Sequence, residues 1–323
     1  MAALAAAAHA GDQFPSVAKP MSDAVTGGAA TGIDKSSFRI MLENDVFFGH
    51  DKDYTNGTRL DYVGDISENR KYGISLTQLI FTPQQHANYP LVGQHPYAGY
   101  LAAGVGYIIT GEENSTTFEF QLGTTGKPSI ARECQWLIHK VGTMDSWDGW
   151  GYQLPSEVTM QLSVRQDRRL RSLESRSSTG FQTDGLMYGR AEAGTVSVRA
   201  GIGFIFRFGY NLPPSMNDYT INGANYGVSP FLDRTYDREA NSYYGIVGFY
   251  GQYVVHDLFI DGTVFHHVDT HVSKIPWQGE VYAGVGVRHK DVDYFFGAIY
   301  KSNQYRTQRG YTLLGNVQVK WNF

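Results

Sequence analysis

Gly315-Asn316-Val317-Gln318-Val319-Lys320-Trp321-Asn322-Phe323 alternates without a break: Val317, Val319, Trp321 and Phe323 are apolar, and Gln318, Lys320 and Asn322 between them are polar. A period of two puts the two sets on opposite faces of one extended strand. The same pattern runs back through the chain. Phe118, Phe120 and Leu122 oppose Glu119 and Gln121, and Val158, Met160, Leu162 and Val164 oppose Glu157, Thr159, Gln161 and Arg165. Val196, Val198, Ala200, Ile202, Phe204, Phe206 and Phe208 oppose Ser197, Arg199 and Arg207, while Trp277, Val281, Ala283, Val285 and Val287 oppose Gln278, Glu280 and Arg288.

Composition narrows what such strands build. Hydrophobic residues are 42% of the 323 and charged ones 18%, yet the mean hydropathy is −0.32. No stretch approaches the roughly 20 apolar residues of a membrane helix, so crossing by helices is excluded. A soluble β-sandwich also alternates, because one face of each sheet meets water. Three features favour a membrane barrel instead. The alternating segments outrun the ~5–6 residues usual in globular sheets. Short connections (64–69, 111–114, 289–291) interleave with long ones (82–96, 125–155, 256–275), the rhythm of periplasmic turns and external loops, although 211–240 breaks it. The terminal Phe323 on an alternating strand is similar to the recognition signal of the outer-membrane assembly machinery. The 22 Tyr, 18 Phe and 5 Trp suit interfacial girdles.

The expected fold is all-β: a twelve-stranded antiparallel transmembrane β-barrel over 36–323, with strands near 37–48, 55–66, 69–81, 97–110, 113–125, 156–168, 179–193, 196–210, 241–255, 276–289, 291–303 and 311–323. An even count puts both termini on the periplasmic side. Within the 125–155 loop, Ile130 to Gly142 has helical spacing and predicts a short external helix. Residues 1–10 read as the remnant of a signal peptide, with a small-x-small site at Ala8-His9-Ala10 and its start upstream; residues 11–35, rich in Gly, Ala, Ser and Thr, read as a flexible leader. The net charge of −4 argues against nucleic acid, and one cysteine, Cys134, precludes an intrachain disulfide and reads as a buried small residue.

Polar groups gather where a plain barrel needs only solvated loops. Glu43-Asn44-Asp45 closes strand 1, and Asp53-Tyr54-Thr55-Asn56-Gly57 opens strand 2; Asn-Gly by itself is a hairpin-turn signal, but pairing of the two strands can bring Asn44, Asp45 and Thr55 within contact distance. Gln135 and His139 share a helix face at i, i+4. A neutral imidazole there can take a proton from water, and Asp145 can orient that imidazole or bind a cation, against the plainer reading of a solvated loop histidine. His95-Pro96-Tyr97-Ala98-Gly99-Tyr100 enters strand 4, where an aromatic-belt anchor is the plain reading. His266, His267, Asp269 and His271 cluster in the fifth external loop, where solvated side chains are the better reading than a metal site.

Taken jointly, these motifs resemble the outer-membrane lipid A 3′-O-deacylases of the LpxR type. The resemblance is carried by Asn44-Asp45, Asp53-Tyr54-Thr55-Asn56-Gly57, Pro96-Tyr97-Ala98-Gly99, Gln135-x-x-x-His139-Lys140-x-x-Gly142, Gly149-Trp150-x-x-Gln153-Leu154, Phe259-Ile260-Asp261-Gly262-Thr263-Val264-Phe265 and Thr270-His271-Val272, spread over the whole barrel. It implies a monomeric barrel facing the exterior of a Gram-negative outer membrane that hydrolyses an acyl ester of lipid A in lipopolysaccharide using calcium. Asn44, Asp45, Thr55 and His139 match residues needed for activity, with Gln135 and a carboxylate at Asp145 nearby; Asp45 and Asp145 are the expected calcium ligands. The chain departs from the family in three places. Asp145 stands where Glu is expected, His95 replaces a basic residue before Pro-Tyr-Ala-Gly, and no lysine falls between Gln84 and Gln94 to meet a substrate phosphate. Head-group preference is therefore expected to differ. No His-x-Ser-Asn-Gly motif of the outer-membrane phospholipase is present. The rival reading is a non-catalytic barrel, either a narrow channel or a binder of lipopolysaccharide.

Deleting Phe323, or replacing Trp321 and Phe323 by Ser, is expected to lower the amount of chain assembled in the outer membrane. Fractionation showing wild-type levels would count against the terminal strand as an assembly signal.

Overall fold

In hydrocarbon every backbone N–H and C=O must be satisfied within the protein, so strands cross a membrane only as a closed ladder. The computed structural model describes residues 36–49, 52–85, 89, 91–142, 149–216, 220–221, 223–228 and 236–323; the signal-peptide remnant, the leader and Asp145 lie outside them. Strands β1 (Ser37–Asn44), β2 (Asp53–Ser67), β3 (Arg70–Thr82), β4 (Ala98–Thr110), β5 (Asn114–Thr125) and β6 (Val158–Arg169) pair in order. After β7, a two-residue arm at Ser175–Arg176, come β8 (Phe181–Gly194), β9 (Ser197–Tyr210), β10 (Ser242–Asp257), β11 (Trp277–His289), β12 (Val292–Lys301) and β13 (Thr312–Asn322). β6 pairs directly with β8, and β1 pairs antiparallel with β13 from Ser37↔Asn322 to Asn44↔Gly315. Setting aside β7, which belongs to a turn, the sheet is a closed antiparallel barrel of twelve strands.

Its polarity is inside out relative to a soluble protein. On β5, Phe118, Phe120 and Leu122 are 40%, 44% and 51% exposed, while Glu119 and Gln121 between them are 0% and 8%. Apolar side chains thus meet lipid and polar ones fill the lumen, as an outer-membrane barrel requires. Aromatic pairs sit at both ends of the strands: Tyr62 with Tyr72, Phe38 with Trp321 and Phe181 with Tyr210 at the turn end, and Tyr253 with Trp277 and Tyr300 with Tyr311 at the loop end.

The connection that breaks the loop rhythm lies at the turn end and folds back into the lumen. Ile221 N donates to Glu43 Oε1 at 3.0 Å, Ala224 N to Glu119 Oε2 at 2.9 Å, and Tyr226 Oη to Glu119 Oε1 at 2.9 Å. From the wall, Arg39 donates to Asn225 O at 2.7 Å and Lys320 to Gly227 O at 3.2 Å. Buried wall charges stand in pairs: Arg39 and Arg59 with Asp61, Arg59 also with Glu119, and Arg207 with Asp184. The described residues Ile221 and Ala224–Gly227 of the connection between Tyr210 and Ser242 thus plug the lumen, and length alone could not tell this connection from an external loop.

Glu119 is the hub of this packing, accepting also from Ser75 at 2.7 Å. Glu119→Ala would leave Arg59 with less compensation and strip acceptors from Tyr226 and Ala224. A loss of about 3–5 kcal/mol is expected for a broken buried pair, read as a lower midpoint of the heat-dependent gel-mobility shift; an unchanged midpoint would refute the hub.

Candidate functional site

Arg39, Met41 and Glu43 point inward along β1, so Asn44 falls on the outer face. Its Oδ1 accepts from Val46 N at 2.7 Å, a turn that stops the strand and starts a single 3-10 turn over Val46–Phe48. The strand expected to reach residue 48 thus ends at Asn44. Asp45 is buried and accepts from Lys52 N at 2.7 Å, drawing the loop shut.

β2 begins at Asp53 and carries a bulge between Tyr54 and Asn56. Tyr54 turns inward and donates to Glu43 Oε2 at 2.7 Å, lying across Gly57, where a β-carbon would overlap its hydroxyl. The extra residue puts two consecutive side chains, Thr55 and Asn56, outside. Thr55 Oγ1 meets Thr82 Oγ1 at 2.6 Å. Asn56-Gly57 is therefore strand with a bulge beside it, not the hairpin turn that the dipeptide suggests.

The loop after β5 climbs over the rim and lies back on the outer wall. A 3-10 turn, Lys127–Ser129, leads through Ile130 at φ 52° into the helix Ala131–Gly142, within a residue of expectation. Gln78, outward on β3, donates to Ser129 O at 2.9 Å. Gly99 on β4 permits the approach, since a β-carbon there would overlap Ser129 Oγ and Ala131 Cβ. Ile80, Tyr97, Ala131 and Trp150 pack behind the helix, with Cys134 against them; Cys134 is half-buried rather than buried. Gln135 and His139 face the wall, while Trp136 and Leu137 stay exposed, and Lys140 Nζ lies 4.7 Å from the Trp136 ring centroid.

Between helix and wall is a crevice lined by Asn44, Val46, Thr55, Asn56, Ile80, Gln135, Ile138 and His139. Four of the residues singled out in the sequence, Asn44, Thr55, Gln135 and His139, thus come together, on the lipid-facing side and not in the lumen. Asp45 adjoins Asn44 but is not among the lining residues. Among the described residues no group of three or more His, Cys, Asp or Glu stands together. The local oxygen donors are the Asp45 carboxylate, the Asn44 amide oxygen and the Thr55 hydroxyl, a hard set that suits calcium in kind with a single charged member; the Gln135 oxygen is taken by the Trp150 indole. Sequence reasoning gave no role to Asn56, Ile80 and Ile138; Ile80 reads as ordinary strand, and only the helix above it makes it part of a site.

The remaining motifs serve the scaffold. His95 is buried and stacked on Phe81 with centroids 4.9 Å apart; burial pushes its pKa down, against the Pro96 carbonyl, Asp53 and Asp257. It stands where the resemblance expects a basic residue, packed away from solvent. Glu157 accepts from Phe265 N, His266 N and His266 Nδ1 at 2.8–2.9 Å, pinning the fifth external loop. Burial would raise its pKa, but these bonds hold the carboxyl below the usual range. Asp269 pairs with His271 at 3.1 Å within an exposed stretch.

A plugged twelve-stranded barrel with a polar crevice on its lipid-facing wall defines an integral outer-membrane protein whose site is separate from its lumen. The family model described as outer membrane protein LpxR matches residues 4–323, and the chain belongs to that family. The solved LpxR from Salmonella typhimurium aligns with a TM-score of 0.73 at 16% identity, over 89% of this chain and 100% of that one. The β domain of the Bordetella autotransporter BrkA gives 0.46 at 11% over 90% and 100%, and the KdgM porin 0.38 at 7% over 89% and 99%. No curated protein matches the chain.

Gly99→Val should lift the start of the helix from the wall. Cys134, the single cysteine, is then expected to react several-fold faster with a maleimide while the folded-barrel gel shift is retained. Unchanged labelling would mean that Gly99 does not set the helix position.

Proposed function

We propose that this protein hydrolyses an acyl ester of lipid A, as a 3′-O-deacylase acting on lipopolysaccharide in the outer leaflet, with calcium as cofactor. The observation that carries the reading is the convergence of Asn44, Thr55, Gln135 and His139 in one crevice on the lipid-facing wall, in a chain of the LpxR family. The substrate's ester bonds lie at the boundary of head group and acyl chain. The crevice lies on the lipid-facing wall, and Phe47, Trp136 and Leu137, next in sequence to its lining residues Val46, Gln135 and Ile138, are exposed there.

His139 accepts a proton from water as the water oxygen attacks the ester carbonyl carbon. The carbonyl electrons move onto oxygen, where amide donors of Gln135 and Asn44 can stabilise the oxyanion. Collapse reforms the carbonyl and expels the sugar alkoxide, which recovers the proton from His139; a fatty acid and a free hydroxyl result. Thr55 orients water or carbonyl. Asp45, with Asp145 and the Asn44 amide oxygen, would hold calcium, which would supply positive charge to stabilise the oxyanion. The buried neutral His95, and the absence of a lysine between Gln84 and Gln94, support a head-group preference that does not depend on a cation at those positions.

Mass spectrometry of lipid A from expressing cells is the decisive measurement, with loss of one acyl chain expected. A folded barrel that leaves lipid A intact would favour the alternative, a non-catalytic binder of lipopolysaccharide. His139→Ala is expected to lower the rate about 10²–10⁴-fold with the barrel folded. Asp45→Asn should be partly rescued by excess calcium, and His139→Ala not at all; full activity in folded His139→Ala would refute the mechanism.

A further inference from the structure

We propose that Trp150 is a positioning residue that sets which end of the Gln135 amide faces the crevice. The inference rests on the deacylase reading above. A side-chain amide is planar, with an acceptor oxygen on one arm and a two-proton donor on the other, and half a turn exchanges them. An indole N–H only donates. Trp150 Nε1 donates to Gln135 Oε1 at 2.7 Å, which admits one of the two orientations and excludes the other.

Gln135 lines the crevice and Trp150 does not. With its oxygen turned to the indole, the amide presents Nε2 to the crevice. That nitrogen is buried and has no hydrogen-bond partner among the described residues. A buried donor left unpaired is costly and calls for a reason. An ester carbonyl supplies the missing acceptor, and its oxygen accepts more strongly as it gains charge during attack. In the reversed orientation the Gln135 oxygen would face the developing oxyanion and repel it, so the indole bond acts on the transition state more than on substrate binding.

Trp150 is itself held in place. Its ring lies 5.3 Å from that of Tyr97 at 57°, within the cluster that includes Ile80 and Ala131. The backbone around it is a 3-10 turn, Gly149–Tyr152, and Leu154 N donates to Tyr97 O at 2.9 Å. Wall, helix and the returning loop thus fix the indole, and the indole fixes the amide.

Trp150→Phe keeps an aromatic ring in the cluster and removes the donor. Measured on lipid A in detergent micelles, it is expected to lower kcat about 10-fold with KM within about twofold, while Gln135→Leu, which removes an oxyanion donor outright, lowers kcat by ~10²-fold. Combined in one chain, the two changes should cost no more than Gln135→Leu alone, because Trp150 acts through Gln135. Wild-type kcat in folded Trp150→Phe, or losses that multiply in the double variant, would overturn the proposal. Should Trp150→Phe fail to give the folded-barrel gel shift, benzothienylalanine at position 150 keeps the bicyclic shape without the N–H. Reduced kcat there supports the proposal and full kcat overturns it. Wild-type protein that leaves lipid A intact would bring down the deacylase reading, and this proposal with it.

Discussion

β1 and β13 are the first and last strands of the barrel, and their pairing over Ser37–Asn44 is the constraint on which the remaining structure depends. Without it the sheet has two open edges in hydrocarbon, each a row of unsatisfied amides. With it the wall is continuous, and the alternation along each strand is forced into one assignment, apolar out and polar in. The price appears inside, where Arg39, Arg59, Arg207, Asp61, Asp184 and Glu119 are all removed from water. Ion pairs balance part of that charge, and the plug supplies backbone partners for the rest: Ala224 N for Glu119, Asn225 O for Arg39, Ser215 O for Arg207. Closure and plug are two halves of one solution.

The candidate site stands on the outer wall, and three local departures from regular strand make room for it. The bulge at Tyr54–Asn56 turns Thr55 and Asn56 outward together. The turn begun by Asn44 ends β1 while its side chain still faces out. Gly99 lets the helix lie directly against β4. Each follows from a residue type: an extra residue in a ladder, an amide that captures a backbone N–H, and a missing β-carbon. The polar groups so gathered lie on the outer wall at the loop end of β1 and β2.

The barrel was legible because period-two alternation is a property of single residues, and it repeats along the chain in segments such as Phe118–Leu122 and Val317–Phe323. Most strand limits, though not the end of β1 at Asn44, and the loop helix could be read from spacing, and resemblance added Asn44, Thr55, Gln135 and His139 as one group. The plug could not, since residues near Ala224 and Tyr226 carry no period and their partners, Glu119 above all, lie far off in sequence. The outer-wall position of the site was equally hidden. Alternation across Asp53–Gly57 gives no notice of a bulge, and without that bulge Thr55 would face the lumen. Asn56-Gly57 misleads for a related reason: the dipeptide favours a tight turn by itself, but here Gly57 is required because the Tyr54 ring crosses it.

On the deacylase reading proposed above, a crevice on the lipid-facing wall would draw its substrate from the surrounding leaflet, and encounter would take place in two dimensions. What governs occupancy is the mole fraction of that lipid in the surrounding leaflet, not its amount per volume of medium. Diluting a suspension of intact membranes would leave the rate per protein unchanged, whereas diluting the leaflet with a foreign lipid would slow it. Neighbouring lipids also become competitors, and any divalent cation that cross-links their head groups stiffens the layer from which a substrate must be drawn. A divalent ion that also served the crevice would in this way oppose delivery to it, and on the proposed calcium dependence the rate would pass through a maximum as that ion is added.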